Sequence, residues 1–346
     1  MASIKAPPST MRAWQYSSIR GGLDKNLHLN SSAAVPKPTS NQHLVRVLAT
    51  ALNPVDYKLA EFGLFHRFII PKPAIPGVDF AGELITPATG SSLKPGQLVF
   101  GAAGTLPYAG TSLAEYAISP AAHLIAIPDG VDPLKAATLT VAGLTAYQTI
   151  KPYVKSGDRV FINGGSGGTG VFGIQIAKAL GCFVATTCST PNVQLCQSLG
   201  ADLVVDYKKE DIVQALEATG KSFDHVVDNV GGKMDLYWRC HEYTRKGAIY
   251  VQVGADLSWA FVFNAVKRTL WPGWLGGGKR KHIGFFPTAK QEDLEQVVNW
   301  VKEGKIRPVI DETFSFEEAP QAIEKLKTGR AKGKIVVNVA LEDRGT

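Results

Sequence analysis

The stretch FINGGSGGTGVFG, residues 161–173, constrains the fold of this chain more than any other segment. It follows an apolar run, DRVFING, that predicts a strand, and it leads into the run VFGIQIAKALG, which predicts a helix. Gly165, Gly167 and Gly170 have the G-x-G-x-x-G spacing. Glycine lets the chain turn tightly there and lets backbone N–H groups approach a pyrophosphate at the helix N-terminus. The segment therefore predicts a dinucleotide site in a strand–turn–helix unit.

The remaining pattern indicates an α/β fold with two kinds of organisation. After about Asp158, continuous apolar strands alternate with helical segments, which is typical of a parallel, doubly wound sheet. Before residue 135, short apolar runs bounded by proline and glycine predict a mostly β unit. The last 60 residues add a helix, EDLEQVVNWVKEG, and a closing helix and strand.

Composition excludes several classes of protein. The 346 residues, 45% of them hydrophobic, supply enough material for two domains with real cores. Lysine and arginine number 37 against 30 acidic residues, which gives a net charge of +7. That excess is spread out apart from Lys279, Arg280 and Lys281. We therefore predict no nucleic-acid binding and only a mild attraction for anions such as phosphates.

Two further features bear on location. The most hydrophobic late stretch, Trp259 to Leu275, is interrupted by Lys267, Arg268 and Pro272, so it cannot span a bilayer. Cysteine spacing fits neither a zinc ribbon nor a disulfide framework, so we interpret the thiols as buried, in a reducing compartment, and predict a cytoplasmic protein. The four are Cys182, Cys188, Cys196 and Cys240.

The choice of cofactor depends on the residues just past the second strand of the dinucleotide-binding unit. An NAD site usually has a carboxylate about 20 residues past the glycine turn. This chain has Cys188, Ser189 and Thr190 there, and two hydroxyl groups without a negative charge favour NADPH. Tyr207, with Lys208 and Lys209, could reach the same ribose, although the two lysines equally fit a solvated loop.

Several motifs in sequence order resemble one family. NGGSGGTG, the upstream GVDFAG, GQLVFG, AEYAI and AGLTAYQTI, and the later GADLVVDY are similar to the medium-chain dehydrogenase/reductase superfamily, most of all to its zinc-free quinone oxidoreductase and enone reductase branch. The resemblance runs from about Met11 to Val339. It implies a GroES-like catalytic domain formed by residues 1–135 and 287–346, with a Rossmann NADPH-binding domain, residues 136–286, inserted between, and a possible homodimer.

The resemblance also implies candidate site residues. Asn53 matches an asparagine that lines the nicotinamide site, and Asp56 with Lys58 are weaker catalytic candidates. The alternatives are a turn residue before Pro54, a helix N-terminal acid and a surface base. Thr145 matches a position close to the nicotinamide. The remaining cofactor-binding candidates are Gly165, Ser166, Gly167, Gly168, Thr169, Gly170, Ser189 and Tyr207.

Two departures from relatives matter. Zinc alcohol dehydrogenases of the superfamily place a cysteine and a His-Glu pair where this chain has Asn53 and Gly77-Val78-Asp79, and His66 alone cannot complete a three-ligand site, so we predict no metal. Relatives also often carry a basic residue at Pro191 or Asn192 to bind the 2′-phosphate. Its absence weakens the NADPH preference, and Lys208 or Lys209 would have to compensate.

These features predict direct hydride transfer from the nicotinamide to a conjugated C=C bond or a quinone, with the Asn53 amide as a donor to the developing oxyanion. The alternatives are an enoyl reductase acting on a carrier-bound chain and a non-catalytic NADPH-binding partner. Aromatic residues lie after Asn53 and before the last cofactor-domain strand. Three interpretations remain open for them: contact with a flat apolar substrate, packing in the core or at a subunit interface, and a membrane-surface patch. The aromatic residues are Phe62, Phe65, Phe68, Trp259, Phe261, Phe263, Trp271 and Trp274.

Overall fold

The computed structural model describes residues 6–61, 70–104, 111–220, 223–231, 234–254 and 278–340. Contacts divide the chain into two compact units, Met1–Leu144 with Ala289–Thr346, and Thr145–Thr288. The aromatic residues named above, at positions 62–68 and 259–274, lie outside the described residues, as does His66.

The first unit is built on antiparallel strands. β1 and β2 form a two-stranded sheet, while β3 is the long central strand of a seven-stranded sheet in which it pairs with β4 and β6. Most of β3 is buried on both faces, and Leu44, Val45 and Val47 are among its buried residues. The elements are β1 Thr10–Gln15, β2 His28–Ala34, β3 Gln42–Leu52, α1 Pro54–Lys58, β4 Asp79–Thr86, β5 Leu98–Ala102, β6 Tyr116–Pro120, β7 Leu124–Ala126, α2 Pro133–Ala137 and α3 Thr140–Ile150, whose residues from Thr145 onward belong to the second unit.

The second unit is the predicted parallel, doubly wound sheet. Its six strands lie in the order β10-β9-β8-β11-β12-β13, which is the 3-2-1-4-5-6 order of a Rossmann fold. Val160, Phe161 and Ile162 of β8 are fully buried, because helices cover both faces of such a sheet. The elements are β8 Arg159–Asn163, α4 Gly168–Ala179, β9 Phe183–Cys188, α5 Val193–Ser198, β10 Leu203–Asp206, α6 Ile212–Glu217, β11 Phe223–Asp228, α7 Met234–Trp238, α8 Cys240–Tyr243, β12 Thr244–Gln252 and β13 Lys281–Gly284.

The C-terminal elements return the chain to the first unit. They are α9 Gln291–Lys302, β14 Ile310–Ser315, α10 Ala319–Lys327 and β15 Lys334–Asn338. β15 pairs antiparallel with β3, with Ile335 opposite Leu52, and β14 pairs with the other edge of β15. The last strand of the chain therefore lies beside the strand that precedes Asn53.

All four cysteines are buried, and none of them forms a disulfide, in agreement with the interpretation of their spacing. Among the described residues, no helix is long and apolar enough to cross a membrane.

Candidate active site

Four polar residues meet in the first unit, at the place where β3 ends and its two neighbouring strands, β4 and β15, begin. Asn53 follows β3, Asp56 lies in α1, Asp79 begins β4 and Lys334 begins β15. The register places Asp79 opposite Ala51 and Ile335 opposite Leu52, which brings residues distant in sequence to one place. We call these four residues the buried polar cluster, because the exposed fraction is 4% for Asn53, 7% for Asp56, 0% for Asp79 and 2% for Lys334.

The side chain of Asn53 is fully engaged within this cluster. Its Nδ2 donates to Oδ2 of Asp79 at 2.8 Å and to the Ala51 carbonyl at 3.2 Å. Its Oδ1 accepts a hydrogen bond from Lys334 Nζ. A primary amide has two N–H donors, so both are used inside the protein. The predicted donor role of Asn53 toward substrate therefore requires that one of these bonds be given up.

Asp79 and Lys334 form a buried ion pair. Lys334 Nζ lies 3.5 Å from Oδ2 of Asp79 and donates to the Leu52 carbonyl at 2.9 Å. Burial raises the pKa of Asp79 and lowers the pKa of Lys334, and the attraction between the two opposes both shifts. Asp79 also accepts the backbone N–H of Val141 at 3.1 Å. Three N–H donors thus favour the ionised form of Asp79.

Asp56 has a poorer set of partners. Its Oδ2 accepts the backbone N–H of Asn53 at 2.7 Å, while its Oδ1 has no hydrogen-bond partner in the described part of the chain. Burial raises the pKa of Asp56 to about 7, and the Asp79 carboxylate adds to this shift, whereas the Asn53 and Val78 N–H groups and Lys334 oppose it. Lys58, at the end of the same helix, is exposed.

The sequence did not indicate Lys334 at all, and Asp79 was noted only as the absence of a metal ligand. Lys334 lies 281 residues from Asn53 in the chain. The one available signal was a lysine directly before the apolar run IVV in the strand KIVVN, where burial would demand a counter-charge.

Replacing Asn53 with alanine is expected to lower the free energy of unfolding by about 2 to 3 kcal/mol. The reason is that Asp79 and Lys334 would each lose a hydrogen bond made to a buried charge. Urea unfolding and turnover measured on the same preparation test this. Unchanged stability with turnover lowered by roughly 10- to 1000-fold would instead make Asn53 the transition-state donor.

The buried polar cluster does not fit a zinc ion. Its donors are one amide and two carboxylates, without cysteine or histidine, and the Lys334 ammonium already lies among the oxygens of Leu52, Asn53 and Asp79. No group of three or more metal-ligating side chains occurs within the described ranges of the chain.

The glycine turn in the second unit fits a dinucleotide. A Cβ on Gly165 would lie 2.1 Å from Thr186 Oγ1, and a Cβ on Gly170 would lie 2.1 Å from the Gly164 carbonyl oxygen. These two glycines therefore allow the turn to pack. Among the described residues, a Cβ on Gly167 would meet only the Gly164 oxygen, at 3.5 Å, so this position has room for a ligand. α4 begins at the next residue with no side chain capping its first turn, which leaves N–H groups for an anion.

Ser166 and Ser189, two predicted cofactor residues, lie close together. Nδ2 of Asn192 donates to Ser166 Oγ at 3.1 Å and to Ser189 Oγ at 3.2 Å. Asn192, one of the two positions at which relatives often carry a basic residue, thus links the glycine turn to the loop after β9. Gly168 and Thr169, the first residues of α4, are half-buried beside them.

A carboxylate reaches this region from the neighbouring strand. Asp206 ends β10 opposite Cys188 of β9, and Thr190 donates a hydrogen bond that lowers the pKa of Asp206. Lys209 Nζ is 3.9 Å from Asp206 Oδ2. The sequence predicted no negative charge at this site because only the residues after β9 were considered, so Asp206 was missed. Tyr207, whose side chain is 42% exposed, begins the loop after β10.

Thr145 is buried in α3, and its carbonyl accepts a hydrogen bond from Thr149. At the ends of β8 and β11, Asn163 donates to Asp228 at 2.7 Å. The neighbouring Asn229 has buried side-chain oxygen and nitrogen atoms without a partner in the described part of the chain. Such atoms are suited to a polar ligand at the carboxyl ends of the strands.

Comparison with known proteins gives a consistent result. Residues 39–129 match the family described as alcohol dehydrogenase GroES-like domain, and residues 199–337 match the family described as zinc-binding dehydrogenase. The trans-enoyl reductase pgmF of Aspergillus terreus is 49% identical, over 96% of this chain and 97% of its own length. A zinc-type alcohol dehydrogenase-like protein of Schizosaccharomyces pombe is 35% identical, over 97% and 99%. The solved quinone oxidoreductase from Coxiella burnetii has a TM-score of 0.83 and 32% identity, over 95% and 99%.

Proposed function

Because this chain belongs to the medium-chain dehydrogenase/reductase superfamily and is an oxidoreductase of its quinone and enoyl reductase type, we propose that it reduces a C=C bond conjugated to a carbonyl, using NADPH and no metal. A bound nicotinamide would supply the hydride. Similarity to a trans-enoyl reductase supports an enone or enal over a quinone.

The observation that carries the metal-free proposal is the ion pair between Lys334 and Asp79 beside Asn53. It occupies the position at which the resemblance to zinc alcohol dehydrogenases would require a cysteine, a histidine and a glutamate. A site without a Lewis acid suits a substrate whose β-carbon is already made electrophilic by conjugation.

The second unit would bind the cofactor through its own residues. The backbone of residues 165–170 would hold the pyrophosphate at the N-terminus of α4. Ser166 and Ser189 present hydroxyl groups that Asn192 holds together. Tyr207, Lys208 and Lys209 would contribute from the loop after β10, where the two ammonium groups offset the charge of Asp206.

Cofactor oxidation with a panel of enones, enals and quinones tests the proposal. We expect NADPH-dependent reduction of the C=C bond, unaffected by chelators, with well under one zinc per chain by elemental analysis. Activity that depends on stoichiometric zinc would contradict the metal-free mechanism. Cofactor binding without reduction of any compound would favour a non-catalytic NADPH-binding partner.

The second candidate is an enoyl reductase acting on a carrier-bound chain. The 49% identical relative is named a trans-enoyl reductase, which supports the enoyl group of this candidate but does not bear on the carrier. The same acyl chain, presented on a carrier protein and as a short thioester, separates the two cases. A carrier preference of 100-fold or more in kcat/KM, about 2.8 kcal/mol, would favour the second candidate.

NADPH is expected to bind more tightly than NADH by roughly 1 to 3 kcal/mol, the scale of one or two charge-assisted hydrogen bonds. Ser189, Tyr207 and the two lysines provide donors for a 2′-phosphate, whereas Asp206 opposes it. Dissociation constants for both cofactors measure the difference. Replacing Asp206 with asparagine should widen it, and equal affinities in the unmodified protein would contradict the expectation.

A further inference from the structure

A cavity of about 170 Å³ lies in the first unit next to the buried polar cluster. Its walls are mainly apolar, and a ring the size of benzene fits a cavity of about 150 Å³. The residues that line it include Val55, Leu59, Ile70, Ala74, Ile75 and Val78. Asp56 and Thr111 also line this cavity, and each has a buried oxygen, Oδ1 and Oγ1, without a partner in the described part of the chain.

The charges around the cavity determine which carboxyl group carries a proton. Asp56 and Asp79 are both buried, and Lys334 is the one ammonium group in the cluster. One buried ammonium neutralises one carboxylate, and a second unpaired carboxylate in a low dielectric takes up a proton. Asp79 accepts three N–H donors, one of them the Lys334 ammonium. For Asp56, the hydrogen-bond donors that favour the ionised form are the backbone N–H groups of Asn53 and Val78, neither of them charged, so the proton belongs on Asp56.

The hydrogen bonding of Asp56 agrees with a neutral acid. Oδ2 accepts the Asn53 N–H, and Oδ1 is buried without a partner among the described residues, on a side chain that lines the cavity. The other titratable groups that face Asp56 are Asp79 from β4, Lys334 from β15 and the phenol of Tyr16, which follows β1. Burial raises the pKa of Tyr16 to about 12, so this phenol stays neutral. Lys72 Nζ lies 3.5 Å above the ring of Tyr16.

We propose that Asp56 is a catalytic residue whose protonated Oδ1 donates a hydrogen bond to the carbonyl oxygen of a ring-sized enone in this cavity. The inference rests on the proposed function and assigns to Asp56 the donor role that the sequence suggested for Asn53. Hydride addition at the β-carbon moves the C=C electron pair toward the carbonyl and leaves an enolate, while the cofactor is oxidised. Asp56 stabilises that oxyanion as a neutral donor in an apolar site, and water protonates the α-carbon.

The first test measures binding without turnover. Pentafluorophenolate, a ring-sized oxyanion that is ionised at neutral pH and above, is titrated into the full chain with NADP⁺ present. We expect its affinity to fall about tenfold per pH unit above the pKa of Asp56, near 7. Asp56→Asn keeps an N–H donor and should bind with little pH dependence, whereas Asp56→Leu should bind at least 10-fold more weakly. Asp132→Asn, an exposed carboxyl that caps α2, is the matched control and should behave as wild type.

The second test measures kcat for cyclohex-2-enone against pH. Wild type should lose activity above about pH 7, and Asp56→Asn should not. The same descending limb in Asp56→Asn, or wild-type phenolate affinity in Asp56→Leu, would overturn the role of Asp56 while leaving the reductase proposal intact. Phenolate binding that depends on Asp56, in a protein that reduces no enone, would instead support the site and contradict the proposed function.

Discussion

Replacing Lys334 with methionine is expected to lower the free energy of unfolding by about 3 to 5 kcal/mol, because it leaves the Asp79 carboxylate buried without its counter-charge. The Leu52 carbonyl and Asn53 Oδ1 lose a donor in the same change. Urea unfolding measures the loss. Lys325→Met is the matched control, since its partly exposed ion pairs with Asp311 and Glu312 contribute about 1 kcal/mol or less each.

The pH dependence distinguishes this explanation from a simple loss of packing. In the variant, Asp79 has a further raised pKa, so the protonated form relieves the unpaired charge at low pH. The stability deficit should therefore shrink as the pH falls and reach its full size above the pKa of Asp79. Adding Asp79→Asn to Lys334→Met should recover part of the loss. A deficit that is the same from pH 5 to pH 8 would contradict a buried ion pair.

The parallel sheet and the glycine turn were predictable because both are local patterns. Continuous apolar strands alternate with helices, and the three glycines of the turn lie within six residues. The buried polar cluster was not predictable in the same way. Its members come from the ends of β3, β4 and β15, and only the register of the sheet shows that Lys334 lies beside Asn53.

The same limit applies to the cofactor site. Asp206 lies opposite Cys188, the residue before Ser189, because β10 pairs in parallel with β9, although Asp206 and Cys188 are 18 residues apart in the sequence. The resemblance to a family indicated Asn53 and Asp56, but it did not show which of their donor and acceptor atoms already have hydrogen-bond partners within the protein. We assign the donor role to Asp56, because the amide of Asn53 has both donors engaged and Oδ1 of Asp56 has no partner among the residues that the structure describes.

Alanine at Gly170 and alanine at Gly167 are expected to damage the protein in different ways. At Gly170 the new Cβ would lie 2.1 Å from the Gly164 oxygen and 2.7 Å from the Gly165 Cα. Both atoms belong to the backbone, so the turn must shift, and we expect a loss of about 3 kcal/mol in unfolding free energy together with loss of NADPH binding. At Gly167 the nearest atom is 3.5 Å away, which is ordinary contact. Stability should then be unchanged.

NADPH affinity in Gly167→Ala should nevertheless fall by about 10- to 100-fold, or roughly 1.4 to 2.8 kcal/mol, because the methyl group occupies space that a pyrophosphate would need near the backbone. Gly284→Ala is the matched control, since a Cβ at that position in β13 meets no atom of the described residues within 4 Å. It should leave both quantities unchanged. Melting temperature and NADPH dissociation constants for the three variants test the turn directly. Wild-type NADPH affinity in Gly167→Ala would mean that the pyrophosphate does not approach this glycine, and would remove the turn from the proposed cofactor site.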